Sequence, residues 1–238
     1  AKVLLERSGR IRTGAPVRGV EFEGRKAVGV RLDEGVQRFD HVLINADAPW
    51  AIKNLIPKSL RHGLGARLRG AWSDGAIDAM DYSCSTYMLY LGLREPVDLP
   101  HHTIYISSDY ERNIRDISEG GCLSPDPSLY VCNPSAIDPT MAPRGCAALY
   151  VLVPTPNLRG SIDWARDAAG LRERALNRVS AMIGKAVGPL VVCEEAYSPL
   201  DWQGMNIAVG ATFNLAHGLM QMLHRRPQHE LAGVENVW

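Results

Sequence analysis

The strongest structural signal in the 238-residue sequence is an amphipathic helix between residues 164 and 187. Its apolar residues recur every three or four positions, the spacing at which one helix face meets a core. Such a helix needs a second apolar layer, and short apolar strands lie on both sides of it in the sequence. The chain is therefore predicted to form a mixed fold of the α/β or α+β class. The apolar face consists of Leu171, Ala175, Leu176, Val179, Met182 and Ile183.

Strands are predicted where β-branched and polar residues alternate between turn residues. Residues 9–49 indicate a run of antiparallel strands that ends in one buried strand, HVLINA. Two basic or polar helices are predicted, one over residues 50–69 and one in DYERNIRDISEG with Asp109 as its N-cap. A long apolar helix is predicted for residues 210–230. Five more strands are predicted in SCSTYMLYLGL, HHTIYIS, SLYVCNPS, AALYVLVPTPN and VVCEEAYSP.

Composition excludes several classes of partner and site. The sequence has 26 basic and 26 acidic residues without a long run of either sign, which argues against a nucleic-acid partner. Its five cysteines are widely spaced and form no CxxC pair, so we expect reduced, mostly buried thiols of a cytoplasmic protein. No apolar run approaches the roughly 20 residues that span a bilayer. Any membrane contact is therefore expected to be peripheral.

Both ends of the sequence have the character of interrupted elements. AKVLLERSG is typical of the last turns of a helix that ends at a glycine, and GVENVW is typical of the beginning of a strand. We therefore expect the chain to be a fragment of a longer polypeptide.

Few side chains are candidates for acid–base or metal chemistry. His101 and His102 are adjacent in a predicted strand, where neighbouring side chains point to opposite faces, so we expect no shared metal ion. The same argument separates the carboxylates of Glu194 and Glu195. His217 lies in the predicted apolar helix, where a hydrogen-bonded core histidine is the more common case. No catalytic residue and no metal site is predicted.

Several phrases, in order along nearly the whole chain, resemble the phytoene desaturase family of flavin-dependent carotenoid oxidoreductases. The resemblance implies part of a Rossmann-type FAD-binding domain at residues 1–55 and a mixed-sheet and helix substrate-binding domain at 56–208. An apolar helix at 209–238 would lead back to the FAD domain. The phrases are GRIRTGAPVRGV, VGVRL, NADAP, YLGL, HHTIYIS, DPSLYV, NPSAIDPTMAP, YVLVPTPNL, SPLDW, GATFNLAH, QML and RP.

The resemblance also assigns positions to the cofactor FAD. Val17 matches the position whose backbone meets the adenine end of FAD, and Asn45, Ala46 and Asp47 match the phrase that turns beneath it. Small residues at the end of a buried strand allow a close backbone approach to a flat ring. The residues alone leave another interpretation open, with Val17 in a strand core and Asp47 as the N-cap of a helix.

A carotenoid offers no hydrogen-bonding group, so its affinity must come from apolar burial. The resemblance implies a lined tunnel, with three residues of the GATFN phrase where tunnel and flavin meet. Ordinary core packing remains an equal interpretation of the methionines. The expected lining residues are Met88, Tyr90, Thr212, Phe213, Asn214 and Met220.

The implied reaction is hydride transfer from an unactivated carbon to oxidised flavin, with quinone or oxygen as the final electron acceptor. An insoluble substrate implies peripheral membrane association, to which Trp50, Lys53 and the basic segment up to Arg69 would contribute, although a solvated basic face is the commoner explanation. Two alternatives remain open. One is a sibling oxidoreductase acting on a diapocarotenoid, a hydroxycarotenoid or a retinoid, and the other is an inactive lipid-binding module.

Overall fold

A computed structural model describes residues 2–61, 72–222, 226–230 and 233–238. The chain divides into two compact units, one formed by Ala1–Met80 with Leu219–Trp238 and the other by Asp81–Gly218. Both units combine helices with antiparallel strands, so the predicted mixed α/β class is confirmed. The units divide at Met80, and the helix Asp74–Asp78 belongs to the first of them. The domain bounds 1–55, 56–208 and 209–238 remain a prediction.

The described helices and strands are numbered here in chain order. The helices are α1 (Lys2–Glu6), α2 (Ala48–Leu55), α3 (Asp74–Asp78), α4 (Tyr110–Arg115), α5 (Trp164–Ile183) and α6 (Pro199–Gly204). The strands are β1 (Gly19–Glu23), β2 (Lys26–Leu32), β3 (Gly35–Arg38), β4 (Ser85–Leu93), β5 (His102–Tyr105), β6 (Leu129–Cys132), β7 (Ala147–Thr155) and β8 (Val191–Tyr197).

The first unit contains the predicted run of antiparallel strands as a three-stranded sheet in the order β1-β2-β3. The predicted buried strand HVLINA is only partly correct. Val42 is buried and runs parallel to Val237, but Leu43 is 79% exposed. Among the described residues, the backbone of 42–44 pairs only with that of 236–238. The segment therefore has a partner along one edge and presents Leu43 to the surface.

The basic helix predicted for residues 50–69 is shorter in the structure. Helix α2 ends at Leu55, because Ile56 adopts an extended conformation before Pro57. The described basic side chains after Trp50 are paired: Lys53 bonds to Asp78 at 2.6 Å, and Arg61 is 4% exposed and hydrogen-bonded to Asp74. These cations stabilise the first unit and do not form a free basic surface. Residues 62–69 lie outside the described residues.

The second unit is built on a five-stranded antiparallel sheet in the order β5-β6-β7-β4-β8. Helix α5 covers one face of this sheet and confirms the predicted amphipathic helix. It begins at the N-cap Asp163, whose carboxylate accepts a hydrogen bond from the backbone of Arg166, and it ends at Gly184 in a left-handed conformation. The buried side chains at this contact include Leu89, Leu91, Leu149, Val151, Leu171, Ala175, Leu176 and Val179.

The prediction of a long apolar helix over residues 210–230 is wrong. In the described part of this segment the chain forms only the short 3-10 turns Ala208–Gly210 and Leu219–Gln221. Two residues with positive φ, Gly210 and Asn214, interrupt any helix, and Leu215 instead forms a β-bridge with Tyr82. The apolar composition therefore reflects a packed loop in which Leu215 is buried, whereas Leu219 is 88% exposed.

The cysteine prediction is partly correct. All five thiols are free, as expected. Only Cys132 is buried, however, whereas Cys122 and Cys193 are exposed. None of the described helices is both long and apolar enough to cross a bilayer.

A polar cluster around Asp126 holds the end of β5 to helix α5. The Asp126 carboxylate accepts hydrogen bonds from the Tyr105 hydroxyl, the Ser108 backbone and hydroxyl, and the Arg178 guanidinium at 2.6 Å. The Arg178 guanidinium also lies 3.9 Å from the centre of the Tyr105 ring. Burial acts to raise the pKa of Asp126, but the hydrogen bonds outweigh it and lower the pKa to about 2.

We expect an Asp126→Asn substitution to destabilise the protein by about 2 kcal/mol at pH 7 and by almost nothing near pH 2. The depressed pKa stabilises the fold above the unfolded value of 3.8 and loses that effect as pH falls to about 2. Urea unfolding of both proteins between pH 7 and pH 2 measures the difference. Asp98→Asn is the control, because Asp98 is exposed. A destabilisation that does not change with pH would contradict the assignment.

Candidate functional site

The five-stranded sheet has a second face, on the side away from α5. Residues directly opposite each other in antiparallel strands share a face, and Tyr90 lies opposite both Tyr150 and Glu195. Two residues earlier, Met88 lies opposite Leu152 and Tyr197. We call this surface the aromatic face and define it by Met88, Tyr90, Tyr130, Tyr150 and Tyr197.

The rings on the aromatic face form a continuous row from one edge of the sheet to the other. Neighbouring ring centroids lie within the 4.5–7 Å range of favourable aromatic pairs. Tyr90 is the most open tyrosine of the row, with 42% of its surface exposed. The centroid distances are 5.2 Å for Trp202–Tyr197, 5.8 Å for Tyr197–Tyr90, 6.1 Å for Tyr90–Tyr150, 5.5 Å for Tyr150–Tyr130 and 5.8 Å for Tyr130–His102.

Polar contacts concentrate at the Tyr130 end of the row. The Tyr150 and Tyr130 hydroxyls lie 3.3 Å apart, and the Tyr130 hydroxyl lies 2.5 Å from Nδ1 of His102. The hydrogen bond with Tyr150, together with burial, raises the pKa of Tyr130 well above its usual value. The Tyr130 end is therefore the polar end of the row.

The loop at residues 211–214 borders the other end of the aromatic face. The Thr212 hydroxyl lies 3.3 Å from that of Thr86, a residue of β4 on the same face as Met88. The Trp202 indole donates to the Thr86 carbonyl at 2.8 Å. The backbone of Ser83 donates to the Asn214 carbonyl at 2.9 Å. These contacts hold the loop beside the aromatic face.

The backbone leading into this loop is strained. Val209 has a φ of 48° and Asn214 a φ of 63°, both in the left-handed region. A β-branched residue rarely adopts that conformation, and such strain persists only where the surroundings enforce it. Gly210 has a φ of 64°, and its carbonyl accepts a hydrogen bond from the Ser85 hydroxyl. The strained loop is thus tied to the first residue of β4.

The structure brings three of the predicted lining residues together, since Met88 and Tyr90 share the aromatic face and Thr212 borders it. Phe213 is 49% exposed in the same loop, and Asn214 anchors that loop through its backbone. The Met220 side chain lies outside the described part of the chain. Three tyrosines, Tyr130, Tyr150 and Tyr197, were missed. For Tyr130 and Tyr150 the signal is alternation, because the residues on either side of each are apolar and buried. Tyr197 has no such signal, since Ser198 follows it.

The predicted cofactor residues lie in the first unit. Asp47 is the N-cap of α2 and accepts a hydrogen bond from the backbone of Trp50 at 2.9 Å, in agreement with the capping interpretation. Asn45 and Ala46 are exposed in the turn before it. Val17 is 37% exposed in the loop before β1.

Two arguments about adjacent residues have different outcomes. Glu194 and Glu195 diverge as predicted, with Glu194 bonded to Arg172 of α5 at 2.5 Å. The argument fails for His101 and His102, whose ring centroids lie only 4.0 Å apart. His101 precedes the first residue of β5, so the alternation of a strand does not apply to it. His217 is exposed and outside any helix, so the core interpretation is also wrong.

Comparison with solved structures gives the class of the fold. The chain shares the fold of an oxidoreductase from Methanosarcina mazei, with a TM-score of 0.51 and 19% identity over 82% of this chain and 40% of that one. A protein from Pyrococcus furiosus matches at a TM-score of 0.50, covering 82% of this chain and 40% of that one at 13% identity. These two likenesses show the fold alone. No protein-family model matches the chain.

Sequence comparison with curated proteins identifies the family. The chain is 38% identical over its whole length to a 4,4'-diapophytoene desaturase from Methylomonas, of which it covers 46%. It is 39% identical over 95% of its length to an all-trans-zeta-carotene desaturase from Myxococcus xanthus, of which it covers 42%. A lycopene-forming phytoene desaturase from Pseudescherichia vulneris is 30% identical, with 100% of this chain and 47% of the relative covered. The chain belongs to the carotenoid desaturase family and spans about half the length of these relatives.

Proposed function

We propose that the second unit is the substrate-binding part of an FAD-dependent carotenoid desaturase. The observation that carries this proposal is the aromatic face, read together with the homology to carotenoid desaturases along the whole chain. A hydrocarbon has no polar group to recognise, so a row of aromatic rings supplies affinity by removing apolar surface from water, at about 25 cal/mol per Å². The same row fixes the long axis of a polyene across the strands.

The residues of the second unit bind the polyene, orient it and exclude water from it. Met88 and Tyr90 hold the middle of the polyene, and the loop at Thr212 positions one end of the reacting segment. When bound, FAD supplies the oxidation, since it accepts a hydride while the adjacent carbon loses a proton and a double bond forms. This assignment requires no acid–base pair on the aromatic face. Glu195 at its edge and the tyrosine hydroxyls complete its polar boundary.

The first unit fits the flavin in one limited respect. Residues 42–44 run parallel to 236–238 and lead into the exposed small residues Asn45 and Ala46, where a ligand can approach the backbone closely. The Asp47 carboxylate already caps α2, so we assign it a positioning role. We propose that Asn45 and Ala46 meet FAD through their backbone and that Val17 contributes from the loop before β1.

The partners follow from the chemistry of the substrate. A carotenoid precursor resides in a bilayer, so we propose that the complete protein works as a peripheral membrane enzyme on the cytoplasmic side. The electrons then pass to quinone or oxygen. Lys53 and Arg61 are engaged within the first unit, so the proposed membrane contact does not rest on them.

The test uses the complete reading frame that contains this chain. We expect the purified protein to show the absorbance of bound flavin and to convert phytoene, zeta-carotene or 4,4'-diapophytoene in liposomes into more conjugated, coloured products. Chromatography of the products with each substrate separately identifies the preferred chain length. The isolated chain is the control and is expected to yield no coloured product.

The other outcomes distinguish the alternatives. Flavin binding without conversion of any of the three substrates would contradict the desaturase proposal and favour a sibling oxidoreductase. A complete protein that binds no flavin would contradict enzyme function altogether. If the isolated chain then bound carotenoid without flavin, the result would favour a lipid-binding module.

A further inference from the structure

A cluster of metal-binding side chains lies at the edge of the five-stranded sheet, where β5 pairs with β6. One ring nitrogen of His101, one of His102 and the sulfur of Cys132 all lie within 4.8 Å of one another. The two strands create this arrangement, because His102 is directly opposite Cys132 in the β5–β6 register. No other group of three such residues lies together in the part of the chain that the structure describes.

We propose that His101, His102 and Cys132 form a binding site for a borderline-soft divalent cation, with Zn²⁺ as the ion that suits them best. Two imidazoles and one thiolate are ligands that zinc prefers, and a set of three leaves a fourth position for water. Hard cations such as Mg²⁺ and Ca²⁺ take oxygen ligands, which this cluster lacks. The ion would join the edge strand β5 to β6.

One of the three distances between ligand atoms is close to that of a loaded site, and all three lie within 4.8 Å. Tetrahedral zinc, with bonds of about 2.3 Å to sulfur and 2.0–2.1 Å to nitrogen, places these atoms about 3.5 Å apart. Nε2 of His101 lies 3.9 Å from Sγ of Cys132. Binding therefore requires this pair to close by only about 0.4 Å. The His101 and His102 rings are already perpendicular, with an interplanar angle of 80°.

The surroundings support a metal site in two further ways. The Tyr130 hydroxyl lies 2.5 Å from Nδ1 of His102. In the proposed site Nε2 of this ring would be the ligand, and Tyr130 would be the outer hydrogen-bonding partner that orients a metal-binding imidazole. Cys132 is 5% exposed, whereas His102 is exposed, so the ion can enter from solvent on the histidine side. The site lies at the His102 end of the row of rings.

Cobalt titration of the full chain tests the proposal, because Co²⁺ adopts zinc geometry and reports thiolate ligation by a charge-transfer band. With the reduced, chelator-free protein we expect one equivalent of Co²⁺ to bind with that band and to be displaced by Zn²⁺. Cys132→Ser should abolish the band. Tyr130→Phe should weaken binding by about 10–100-fold, as removal of an outer partner does.

The matched control is Cys193→Ser, on the opposite edge strand of the same sheet, which should leave the band and the affinity unchanged. Zinc at about 100 times its Kd should also raise the Tm of the wild-type chain by about 5–10 °C, and that of Cys132→Ser by much less. Absence of stoichiometric binding, or a band that survives Cys132→Ser, would overturn the proposal. A band lost equally in Cys193→Ser would also overturn it.

Discussion

A Tyr90→Lys variant of the complete protein is expected to remain folded and to lose about 100-fold in carotenoid desaturation. Tyr90 is the most open ring of the aromatic face, so a polyene bound there must cover it. The substitution removes an apolar contact and adds an ammonium group that must lose its water when a polyene covers it, which is unfavourable even beside a carboxylate. The expected loss corresponds to about 3 kcal/mol of transition-state binding. Initial rates of product formation in liposomes measure it.

Position 90 allows the fold and the site to be tested separately. A lysine there would face Glu195 across the β4–β8 pair, and an opposite-charge pair at that position supports the sheet. The Tm of Tyr90→Lys should therefore stay close to that of the wild type. Tyr90→Phe is the control and should change the rate by less than about threefold, because it keeps the ring. Near-normal activity of Tyr90→Lys would show that the substrate does not use the aromatic face.

A Gly210→Ala substitution is expected to destabilise the second unit by about 3 kcal/mol or more. A Cβ at this position would lie 2.3 Å from the carbonyl oxygen of Pro199, so backbone atoms must move. The φ of 64° adds a conformational cost for any residue other than glycine. Urea unfolding, compared at the transition midpoint, measures the change in the free energy of unfolding.

Gly204→Ala is the matched control for Gly210. Gly204 is the last residue of α6, and a Cβ there would meet nothing within 4 Å. We expect this variant to stay within about 0.5 kcal/mol of the wild type. If both glycine variants unfold at the same urea concentration as the wild type, the loop before Thr212 is not held as the structure describes. A strong effect of Gly204→Ala would point to a general sensitivity of the α6 region.

Local chemistry accounts for most of what the sequence predicted correctly. The apolar period of helix α5 depends on residues three and four positions apart, and the Asp163 cap and Gly184 end that the structure adds are equally local features. Strand positions follow in the same way from alternation between turn residues. The predicted helix after Gly210 failed because apolar composition is the same for a helix and for a packed loop. What separates them is the positive φ of Gly210 and Asn214, which tertiary contacts enforce.

In the candidate site, too, some features follow from local sequence and others only from tertiary contacts. The sequence by itself determined the mixed fold class and the family, and it predicted Met88, Tyr90 and Thr212 as lining residues, because each of these inferences rests on a local phrase or pattern. Only the tertiary structure decided that Tyr130, Tyr150 and Tyr197 join Tyr90 in one row, and that Cys132 lies opposite His102. Those residues come from strands that are far apart in the sequence. Their register depends on the sum of the core contacts beneath the sheet, which no single segment encodes.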